Sequence, residues 1–407
     1  MSRRGPDTVS LDVPSLCCDL KSAVMQLQGS SPIQGTEELL CAAKQLVAVL
    51  EQPFDRMARL AKAPVGHAVL RTAINIGLFE QFYAGINHAE GLAARCGVEK
   101  TLLVRLMNVL VSEGVFEQYG PQQYKSTLSS QHMTLPGFRA VVRGLAETAD
   151  IMPHLPDYLA SIQYRNPSEN KPGLFGFAKR SELSMFEWLE QNPEKLQVFQ
   201  EFQSAKEEML DTSFESLLRE LIESTPPVKK LSSDEESFQT DTVLLCDVGG
   251  GRGTALRSVS TSIPKLSTFG RTITQDLRSV VESIEPCPEW EAMPYDFFEP
   301  QPVKGAYIYM LRDVLHNWSD TACLSILSNI IEAMGPKSQL LILDAVLPET
   351  CAPQFMTYID IQMMQFGGME RTESHWRHLL FQVGLEVESI QVRNTTGLES
   401  MIRVKKI

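Results

Sequence analysis

Hydrophobic and polar positions follow one pattern in the first half of the chain and another in the second. Up to about residue 220, apolar residues recur at intervals of three and four, which is the spacing of one face of an α-helix. From residue 242 onwards, short apolar runs alternate with helical patterns as far as the C-terminus. Strands that alternate with helices are typical of a parallel α/β sheet. We therefore expect a helical region followed by an α/β domain.

Residues 64–125 contain three helical patterns and then an alternating segment that turns at Gly120. The first helix is expected to close near Gly77 and the second at Gly97, because glycine accepts the left-handed conformation that often ends a helix. The third helix has a continuous apolar face, formed by Leu103, Leu106, Met107 and Leu110. Three helices followed by a β-hairpin predict a winged-helix topology.

Many winged-helix domains bind DNA, and the charges of the third helix test that function. Here Lys100 and Arg105 are balanced by Glu99 and Glu113, whereas a recognition helix needs a clear basic surplus. The formal net charge of the chain is −13, and phosphate binding requires a basic surface. We therefore expect no nucleic-acid partner and interpret this unit as the dimerisation module of a homodimer.

These patterns divide the chain into four segments. Residues 1–135 form a helical and winged-helix dimerisation domain, with a loop expected at 29–35. Residues 136–225 form a helical connector. The segment 226–241 is polar, acidic and poor in aromatic residues, which predicts a surface insertion. Residues 242–407 form the α/β domain.

The composition is that of a globular protein, with 43% hydrophobic and 21% charged residues among 407. No apolar stretch approaches the length of a transmembrane helix, and the N-terminal segment lacks the apolar core of a secretory signal. The eight cysteines are scattered without metal-ligand spacing, which favours reduced thiols. We therefore expect a cytoplasmic protein with no membrane partner.

The sharpest chemical signal is the segment VLLCDVGGGRGTALRSV at 243–259. An apolar run predicts a buried strand, and a glycine-rich turn and a helix follow it. Glycines let the backbone turn tightly and let a ligand approach without a Cβ in the way. The dinucleotide pattern GxGxxG fits poorly, because Thr254 occupies the position of its third glycine. The residues of the motif are Asp247, Gly249, Gly251 and Gly253.

An acidic residue followed by glycines at alternating positions resembles motif I of the S-adenosylmethionine-dependent methyltransferases. The resemblance implies that this loop holds the amino-acid end of the cofactor. Asp276 follows Gly253 by 23 residues, after a predicted second strand, where a carboxylate accepts hydrogen bonds from ribose hydroxyls. Asp296 follows the third strand, where the family contacts adenine. S-adenosylmethionine is therefore the expected cofactor.

Two further segments extend the resemblance to the small-molecule O-methyltransferases of plants and fungi, and the fungal branch is the more similar. KGAYIYMLRDVLHNWSD (304–320) resembles a signature in which aspartate follows a histidine, but here Asn317 follows His316. GGMERTESHWRHLLFQVGL (367–385) resembles the family's GGxERT segment. The resemblance covers nearly the whole chain. It implies a winged-helix dimerisation domain, a connector that lines the substrate pocket, and a Rossmann-like domain with a mostly parallel seven-stranded sheet.

The resemblance also implies roles for four residues of this chain. His316 matches the catalytic base, Glu370 the acid that orients it, and Asp344 the position of a second glutamate. Arg312 matches a residue that helps hold the cofactor. A phenol has a pKa of about 10 and histidine one of about 6.5, so the base must take the proton as the methyl group moves. We therefore expect methyl transfer to a hydroxyl of a small aromatic or polyketide-type metabolite.

A second function within the same resemblance stays open. O-methyltransferase-like pericyclases keep the fold and the cofactor but transfer no methyl group. Their sites have an Arg-Asp pair before the histidine loop and a histidine after the winged helix, which Arg312, Asp313 and His132 match. Such groups polarise a carbonyl through preorganised hydrogen bonds. A third interpretation is a cofactor-binding regulatory subunit without catalysis.

No metal site is predicted. His375 and His378 have helical spacing, but no third ligand lies near them in sequence, and we interpret them as part of a helix surface. Five methionines lie around the candidate site, and both core packing and a flexible substrate pocket explain them. They are Met310, Met356, Met363, Met364 and Met369.

Overall fold

The computed structural model of the chain describes most of the residues between Pro32 and Ile407. The described ranges are 32–167, 173–209, 243–263, 270–392 and 399–407, with isolated positions between 17 and 24 and at 218, 219, 222 and 266. The chain divides into two compact units, Met1–Gln131 and His132–Ile407. The predicted insertion at 226–241 lies outside the described residues.

The first unit consists of helices and one hairpin. Its described elements are α1 (Pro32–Leu50), α2 (Pro53–Asn75), α3 (Leu78–Tyr83), α4 (Ala89–Cys96), α5 (Lys100–Ser112), β1 (Phe116–Gly120) and β2 (Gln123–Ser126), and a short helix α6 (Leu128–His132) crosses the boundary to the second unit.

The helix ends and the hairpin of this unit follow the sequence. Gly77 and Gly97 adopt left-handed φ angles of 66° and 67° at the helix ends where the sequence placed them. The predicted apolar face of α5 is buried, and β1 pairs with β2 in antiparallel fashion. The loop predicted at 29–35 is wrong for residues 32–35, because α1 already begins at Pro32. Proline is well accepted in the first turn of a helix, where its missing N–H has no intrahelical partner.

The second unit begins with a helical region. Its described helices are α7 (Pro136–Thr148), α8 (Leu155–Ser161), α9 (Gly173–Lys179), α10 (Met185–Glu190) and α11 (Pro193–Met209), with a 3₁₀ turn at Met152–His154. Within this helical region, α10 and α11 are separate helices. Pro193 has no N–H to continue the preceding helix, so it begins a new one. Ser184 caps α10, and its hydroxyl accepts a hydrogen bond from the N–H of Glu187.

The remainder of the second unit is α/β. Its strands are β3 (Val243–Val248), β4 (Arg271–Asp276), β5 (Glu291–Pro294), β6 (Ile308–Arg312), β7 (Gln339–Asp344), β8 (Val346–Leu347), β9 (Arg371–Thr372), β10 (Leu385–Val392) and β11 (Ser400–Lys406). Its helices are α12 (Thr254–Ser262), α13 (Arg278–Val281), α14 (Asp320–Ala333), α15 (Gln354–Met363) and α16 (Glu373–Phe381), with a 3₁₀ turn at Leu315–Asn317.

The described strands form a seven-stranded sheet in the order β10-β11-β7-β6-β3-β4-β5. Neighbouring strands among β7, β6, β3, β4 and β5 are parallel. By contrast, β11 is antiparallel to β7, and β10 is antiparallel to β11. Every residue of β3 is buried, because a central parallel strand is covered on both faces. The prediction of a mostly parallel seven-stranded sheet behind a helical domain is confirmed.

The parallel strands all end at one edge of the sheet. The last residues of β4, β6 and β7 are Asp276, Arg312 and Asp344, and the glycine loop follows β3. Open α/β sheets bind their ligands at this carboxyl edge. The residues that the sequence singled out on four different strands therefore lie along a single edge.

Candidate active site

The loop between β3 and α12 depends on glycine for its backbone conformation. Gly249, Gly251 and Gly253 have φ angles of 73°, 57° and 73°. Residues with a Cβ rarely adopt these left-handed values, so a substitution at any of the three strains the turn. The alternating glycines of the sequence motif are thus explained by the path of the chain.

Asp247 lies directly beneath this loop and is fully buried. Gly250 packs on it so closely that a Cβ would overlap the Asp247 carboxylate and the Thr274 hydroxyl. Gly251 differs, because a Cβ there would meet nothing within 4 Å. The loop is therefore fixed from below by Asp247 and open to a ligand at Gly251. The sequence motif did not single out Gly250, although it is as restricted as its neighbours.

Asp276 joins the end of β4 to the glycine loop. Its Oδ2 accepts a hydrogen bond from the Gly251 N–H at 2.8 Å, and its Oδ1 accepts one from the Leu277 N–H at 2.8 Å. Burial raises the pKa of this carboxyl, and the two backbone hydrogen bonds act in the opposite direction. Each carboxylate oxygen has a second lone pair, so Asp276 can hold the loop and still accept hydrogen bonds from a ligand.

Asp296 lies beyond β5 and has a different environment. Its side chain is exposed, and its Oδ1 accepts a hydrogen bond from the Phe298 N–H at 3.0 Å. Asp296 therefore stabilises its own turn and leaves its other oxygen open to solvent or to a ligand.

His316 occupies the 3₁₀ turn after β6 and is paired with a carboxylate from a distant segment. The Nδ1 atom of His316 lies 2.9 Å from Oε1 of Glu370 and 3.9 Å from Oδ1 of Asp344. All three side chains are buried. The Asp344 side chain is one methylene shorter than the glutamate expected at this position, so it does not come within hydrogen-bonding distance, and it has no hydrogen-bond partner among the described residues.

These carboxylates change the acidity of the imidazole. Burial lowers the pKa of His316, but the negative charges of Glu370 and Asp344 and the hydrogen bond to Glu370 outweigh burial and raise the pKa to about 9. Burial raises the pKa of the Asp344 carboxyl to about 7. His316 is therefore a stronger base than free histidine and binds its proton at neutral pH.

The segment that carries Glu370 also holds the backbone of the His316 turn. Arg371 is fully buried, and its guanidinium donates hydrogen bonds to the carbonyl oxygens of Leu315 at 3.0 Å and Trp318 at 2.8 Å. The same guanidinium donates to Oδ1 of Asp320 at 2.9 and 3.0 Å. Arg371 thus fixes both ends of the turn. The sequence analysis did not assign Arg371 a role, although it follows Glu370 directly.

Arg312 and Asp313 lie beside this turn, and each is engaged in an ion pair. The Nε atom of Arg312 donates to Oε1 of Glu399 at 2.8 Å, and both side chains are buried. Lys206 of α11 donates to Oδ2 of Asp313 at 2.9 Å. Burial acts to raise the pKa of Asp313, but the positive charges of Lys206, His316 and Arg312 hold it at about 2. Sequence reasoning missed both Lys206 and Glu399, because they come from distant segments.

Asp313, His316 and Asp344 offer possible metal-ligand atoms within 4.8 Å of one another. The Lys206 ammonium already supplies a positive charge to Asp313, with Nζ 2.9 Å from Oδ2.

The structure places the remaining candidates outside this cluster or in the core. His132 is exposed, and its ring contacts that of Phe138 with centroids 5.6 Å apart. The Nε2 atom of His375 donates a hydrogen bond to Oδ2 of Asp320 at 2.8 Å. Met310 and Met356 are buried in the core. Met363 and Met364 pack against an aromatic cluster in the helical region.

Comparison with known proteins relates these features to a family. The family model of the O-methyltransferase domain matches residues 185–386, and that of the O-methyltransferase dimerisation domain matches residues 58–134. The chain is 30% identical over 377 residues to demethylsterigmatocystin 6-O-methyltransferase of Aspergillus flavus, which covers 91% of this chain and 94% of that protein. It is 31% identical over 378 residues to a protein of the same species named O-methyltransferase lepI, with the same coverage.

A solved structure described as LepI in complex with SAM gives a TM-score of 0.79 at 27% identity and covers 97% of this chain and 99% of that one. Another, described as a pericyclic reaction enzyme, gives 0.79 at 27% identity over 97% of this chain and all of that one. The chain belongs to the O-methyltransferase family, whose members are S-adenosylmethionine-dependent enzymes. The predicted family and fold class are confirmed. No helix in the described part of the chain is long and apolar enough to cross a membrane.

Proposed function

We propose that this protein transfers a methyl group from S-adenosylmethionine to a hydroxyl oxygen of a small aromatic or polyketide-type metabolite. The observation that carries the proposal is the buried His316–Glu370 pair at the carboxyl edge of the sheet. His316 lies in the turn after β6, and β6 is the direct neighbour of β3, which leads into the glycine loop. A relative named for 6-O-methylation of demethylsterigmatocystin supports a hydroxyl as the acceptor.

The residues at the sheet edge fit the cofactor. When bound, S-adenosylmethionine supplies an electrophilic methyl group on a positively charged sulfur. The open backbone of the glycine loop would hold its amino-acid end, with Asp247 beneath that loop and Arg312 at the end of the neighbouring strand β6. Asp276 would accept hydrogen bonds from the ribose hydroxyls, and the free side of Asp296 would contact adenine.

His316 would take the proton of the acceptor hydroxyl. The Nδ1 atom of His316 is hydrogen-bonded to Glu370, so Nε2 is the ring atom available to the substrate. The pKa of His316, about 9, is close to the pKa of a phenol, about 10. The remaining gap of about one unit corresponds to about 1.4 kcal/mol, against about 5 kcal/mol for an unperturbed histidine. The pair thus makes proton transfer less costly, and a cationic ligand nearby lowers the pKa so that the neutral form becomes accessible at lower pH.

A second candidate function is a pericyclic reaction without methyl transfer. The similarity over 97% of the chain to a structure described as a pericyclic reaction enzyme favours it, as does the position of Arg312 and Asp313 beside His316. Two ion pairs argue against it. Glu399 and Lys206 neutralise much of the charge of Arg312 and Asp313, which weakens the field that these groups apply to a substrate carbonyl.

The two functions are separated by measuring substrate loss and S-adenosylhomocysteine release together, with hydroxylated aromatic compounds as substrates. Methyl transfer predicts one S-adenosylhomocysteine per product and a gain of one methyl group in product mass. His316→Ala is then expected to lower turnover roughly 100- to 10,000-fold, the range of a positioned base. Substrate turnover without S-adenosylhomocysteine, insensitive to His316→Ala but abolished by His132→Ala or Arg312→Ala, would overturn the proposal.

A further inference from the structure

Arg371 carries a full positive charge inside the second unit, where its side chain is completely buried. Among the described residues, Asp320 is the one carboxylate within ion-pair distance of this guanidinium, with Nη2 2.9 Å from Oδ1. Removing the partner of a buried charge is strongly unfavourable, because neither water nor another charge then compensates it. The position of the guanidinium therefore depends on the Asp320 carboxylate.

The two oxygens of Asp320 contact two different partners. Oδ1 accepts hydrogen bonds from Nε and Nη2 of Arg371, and Oδ2 accepts one from Nε2 of His375 at 2.8 Å. The contact to His375 restrains rotation of the carboxylate, so Oδ1 stays directed at the guanidinium. Burial acts to raise the pKa of Asp320, but the hydrogen bond from His375 and the charge of Arg371 hold it below its usual value. Asp320 is therefore ionised at neutral pH.

His375 and His378, which the sequence singled out together, have different environments. Both belong to α16, and His378 is exposed. His375 is partly buried and faces Asp320 in the first turn of α14. Arg371 lies in β9, directly before the start of α16. One short segment therefore supplies both donors to the same carboxylate.

The contacts continue from Arg371 to the turn that carries His316. The guanidinium donates to the carbonyl oxygens of Leu315 and Trp318, which lie on either side of His316 in the chain. A planar guanidinium presents its donors in a fixed geometry, so its orientation determines where these two carbonyl groups lie. The Asp320 carboxylate is thus connected through one side chain to the backbone of the turn.

We propose that Asp320 and His375 are positioning residues for His316. Asp320 neutralises Arg371 and holds the guanidinium against the turn, and His375 holds the Asp320 carboxylate in the required orientation. Within the described part of the chain, neither residue is hydrogen-bonded to His316, so both act through Arg371. The order of the turn follows from these contacts alone, whereas an effect on turnover rests on the proposed function of His316.

The first test is backbone amide hydrogen exchange of the full-length protein, which requires no substrate. The Trp318 N–H donates to the Leu315 carbonyl oxygen at 3.1 Å within the turn. The Met369 N–H donates to the His316 carbonyl oxygen at 3.0 Å. Exchange at these two amides, followed by mass spectrometry of short peptides, therefore measures how well the turn is held. The Gly251 N–H, in the glycine loop, is the internal reference.

Three variants separate the charge of Asp320 from its orientation. Asp320→Asn keeps the shape of the side chain and removes its charge, and it is expected to speed exchange at the turn roughly 10- to 150-fold, the effect of a charged hydrogen bond. His375→Leu removes one hydrogen bond and is expected to speed it roughly 3- to 10-fold. His375→Gln keeps a side-chain N–H donor and is expected to restore most of the wild-type protection.

The second test is methyl transfer to a hydroxylated aromatic substrate. Asp320→Asn is expected to lower kcat up to about 100-fold, the effect of a shift of about 1 Å at a reacting group. His375→Leu is expected to lower kcat less, and His375→Gln to restore most of it. Because both residues act on the base and not on the bound ligands, KM and S-adenosylmethionine affinity are expected to stay within about twofold.

Two matched controls are expected to leave both exchange and kcat unchanged. Asp157→Asn removes an exposed charge from the first turn of α8, and His378→Leu replaces the exposed histidine of α16. Circular dichroism checks the folding of each variant, and the substitutions at the partly exposed His375 keep the test decisive if Asp320→Asn does not fold.

Four results would overturn the proposal. They are unchanged exchange at the turn in Asp320→Asn and His375→Leu, an equal increase at Gly251, a His375→Gln protein that behaves like His375→Leu, and, in an active enzyme, a wild-type kcat despite faster exchange. Faster exchange at the turn of a protein that transfers no methyl group would instead count against the proposed function alone.

Discussion

Gly368 lies directly against the backbone of His316. The N–H of the next residue, Met369, donates to the His316 carbonyl oxygen at 3.0 Å, and a Cβ on Gly368 would overlap that same oxygen. Glu370 and Arg371 follow immediately and hold the imidazole and the ends of its turn. Four consecutive residues therefore determine where the candidate base lies, although they belong to a different part of the chain.

This contact makes Gly368→Ala a sensitive variant. The added methyl group must displace the His316 turn, because backbone atoms and not a flexible side chain occupy its position. Overpacking of this kind costs about 1–3 kcal/mol of unfolding free energy, and a shift of about 1 Å at a reacting group lowers turnover about 100-fold. Calorimetric S-adenosylmethionine affinity is expected to stay within about twofold. Gly137→Ala serves as the control, because a Cβ there makes only an ordinary contact at 3.9 Å. Full turnover in Gly368→Ala would show that the turn tolerates displacement.

The carboxylate partner of His316 sets the pH dependence of methyl transfer. We expect kcat/KM to rise with pH and level off near the His316 pKa of about 9. Glu370→Gln removes the larger of the two negative charges that raise the pKa of His316. The midpoint of the pH profile is therefore expected to shift towards pH 6.5, and the maximum rate is expected to fall. Asp344→Asn is the matched comparison and is expected to shift it less, because Asp344 makes no hydrogen bond to the imidazole. Identical profiles in all three proteins would remove His316 as the titrating base.

The same raised pKa predicts a loss of stability in alkaline solution. The folded state holds the His316 proton more tightly than the unfolded state, in which the pKa is about 6.5. The stabilisation is fully present below pH 6.5 and is lost as pH rises through about 9. Its upper limit is about 3 kcal/mol, from about 1.4 kcal/mol per pKa unit. Urea unfolding of the wild type and of His316→Ala at pH 6 and pH 9.5 measures this stabilisation. The difference in unfolding free energy between the two proteins should be smaller at the higher pH.

Asp276 is expected to matter for cofactor binding through two contacts. Asp276→Ala removes an acceptor for the ribose hydroxyls and also the hydrogen bond from the Gly251 N–H. Hydrogen bonds to a charged group contribute about 1.5–3 kcal/mol, so affinity for S-adenosylmethionine should fall roughly 10- to 150-fold. Asp157→Ala, on the exposed side of α8, is the control. Calorimetry that finds undiminished affinity in Asp276→Ala would refute the assignment.

The first unit is predicted to form a homodimer. It matches the O-methyltransferase dimerisation domain, and α2 exposes Phe54, Met57 and Leu60 to 80%, 64% and 46%. These residues are spaced three apart and form a connected apolar surface on the single chain. Light scattering should give a dimer mass at micromolar concentration, and Phe54→Lys with Met57→Lys should shift it towards the monomer. Asp55→Lys, between them on the same helix, controls for the added charge. A monomer mass for the wild type would contradict the prediction.

Local chemistry explains what could be predicted from the sequence. Helix and strand types follow from periodicity, and the conformation of the glycine loop follows from the absence of Cβ atoms at three positions. The sequence predicted a second strand before Asp276, and the structure has Asp276 as the last residue of β4. One error was local as well: the sequence favoured a loop at 32–35, where the structure has the first turn of α1.

The pairings that give these residues their chemistry were decided only by the tertiary structure. His316 meets Glu370 but not Asp344, Lys206 reaches Asp313, and Glu399 reaches Arg312. These partners come from segments far apart in the chain, so their distances depend on strand order and helix packing, which no local pattern encodes. A difference of about 1 Å in the distance between two polar atoms separates a hydrogen bond from a purely electrostatic contact. Burial strengthens the effect of such a contact on the pKa of the group. The residues of the site are written in the sequence, but the raised basicity of His316 exists only in the fold.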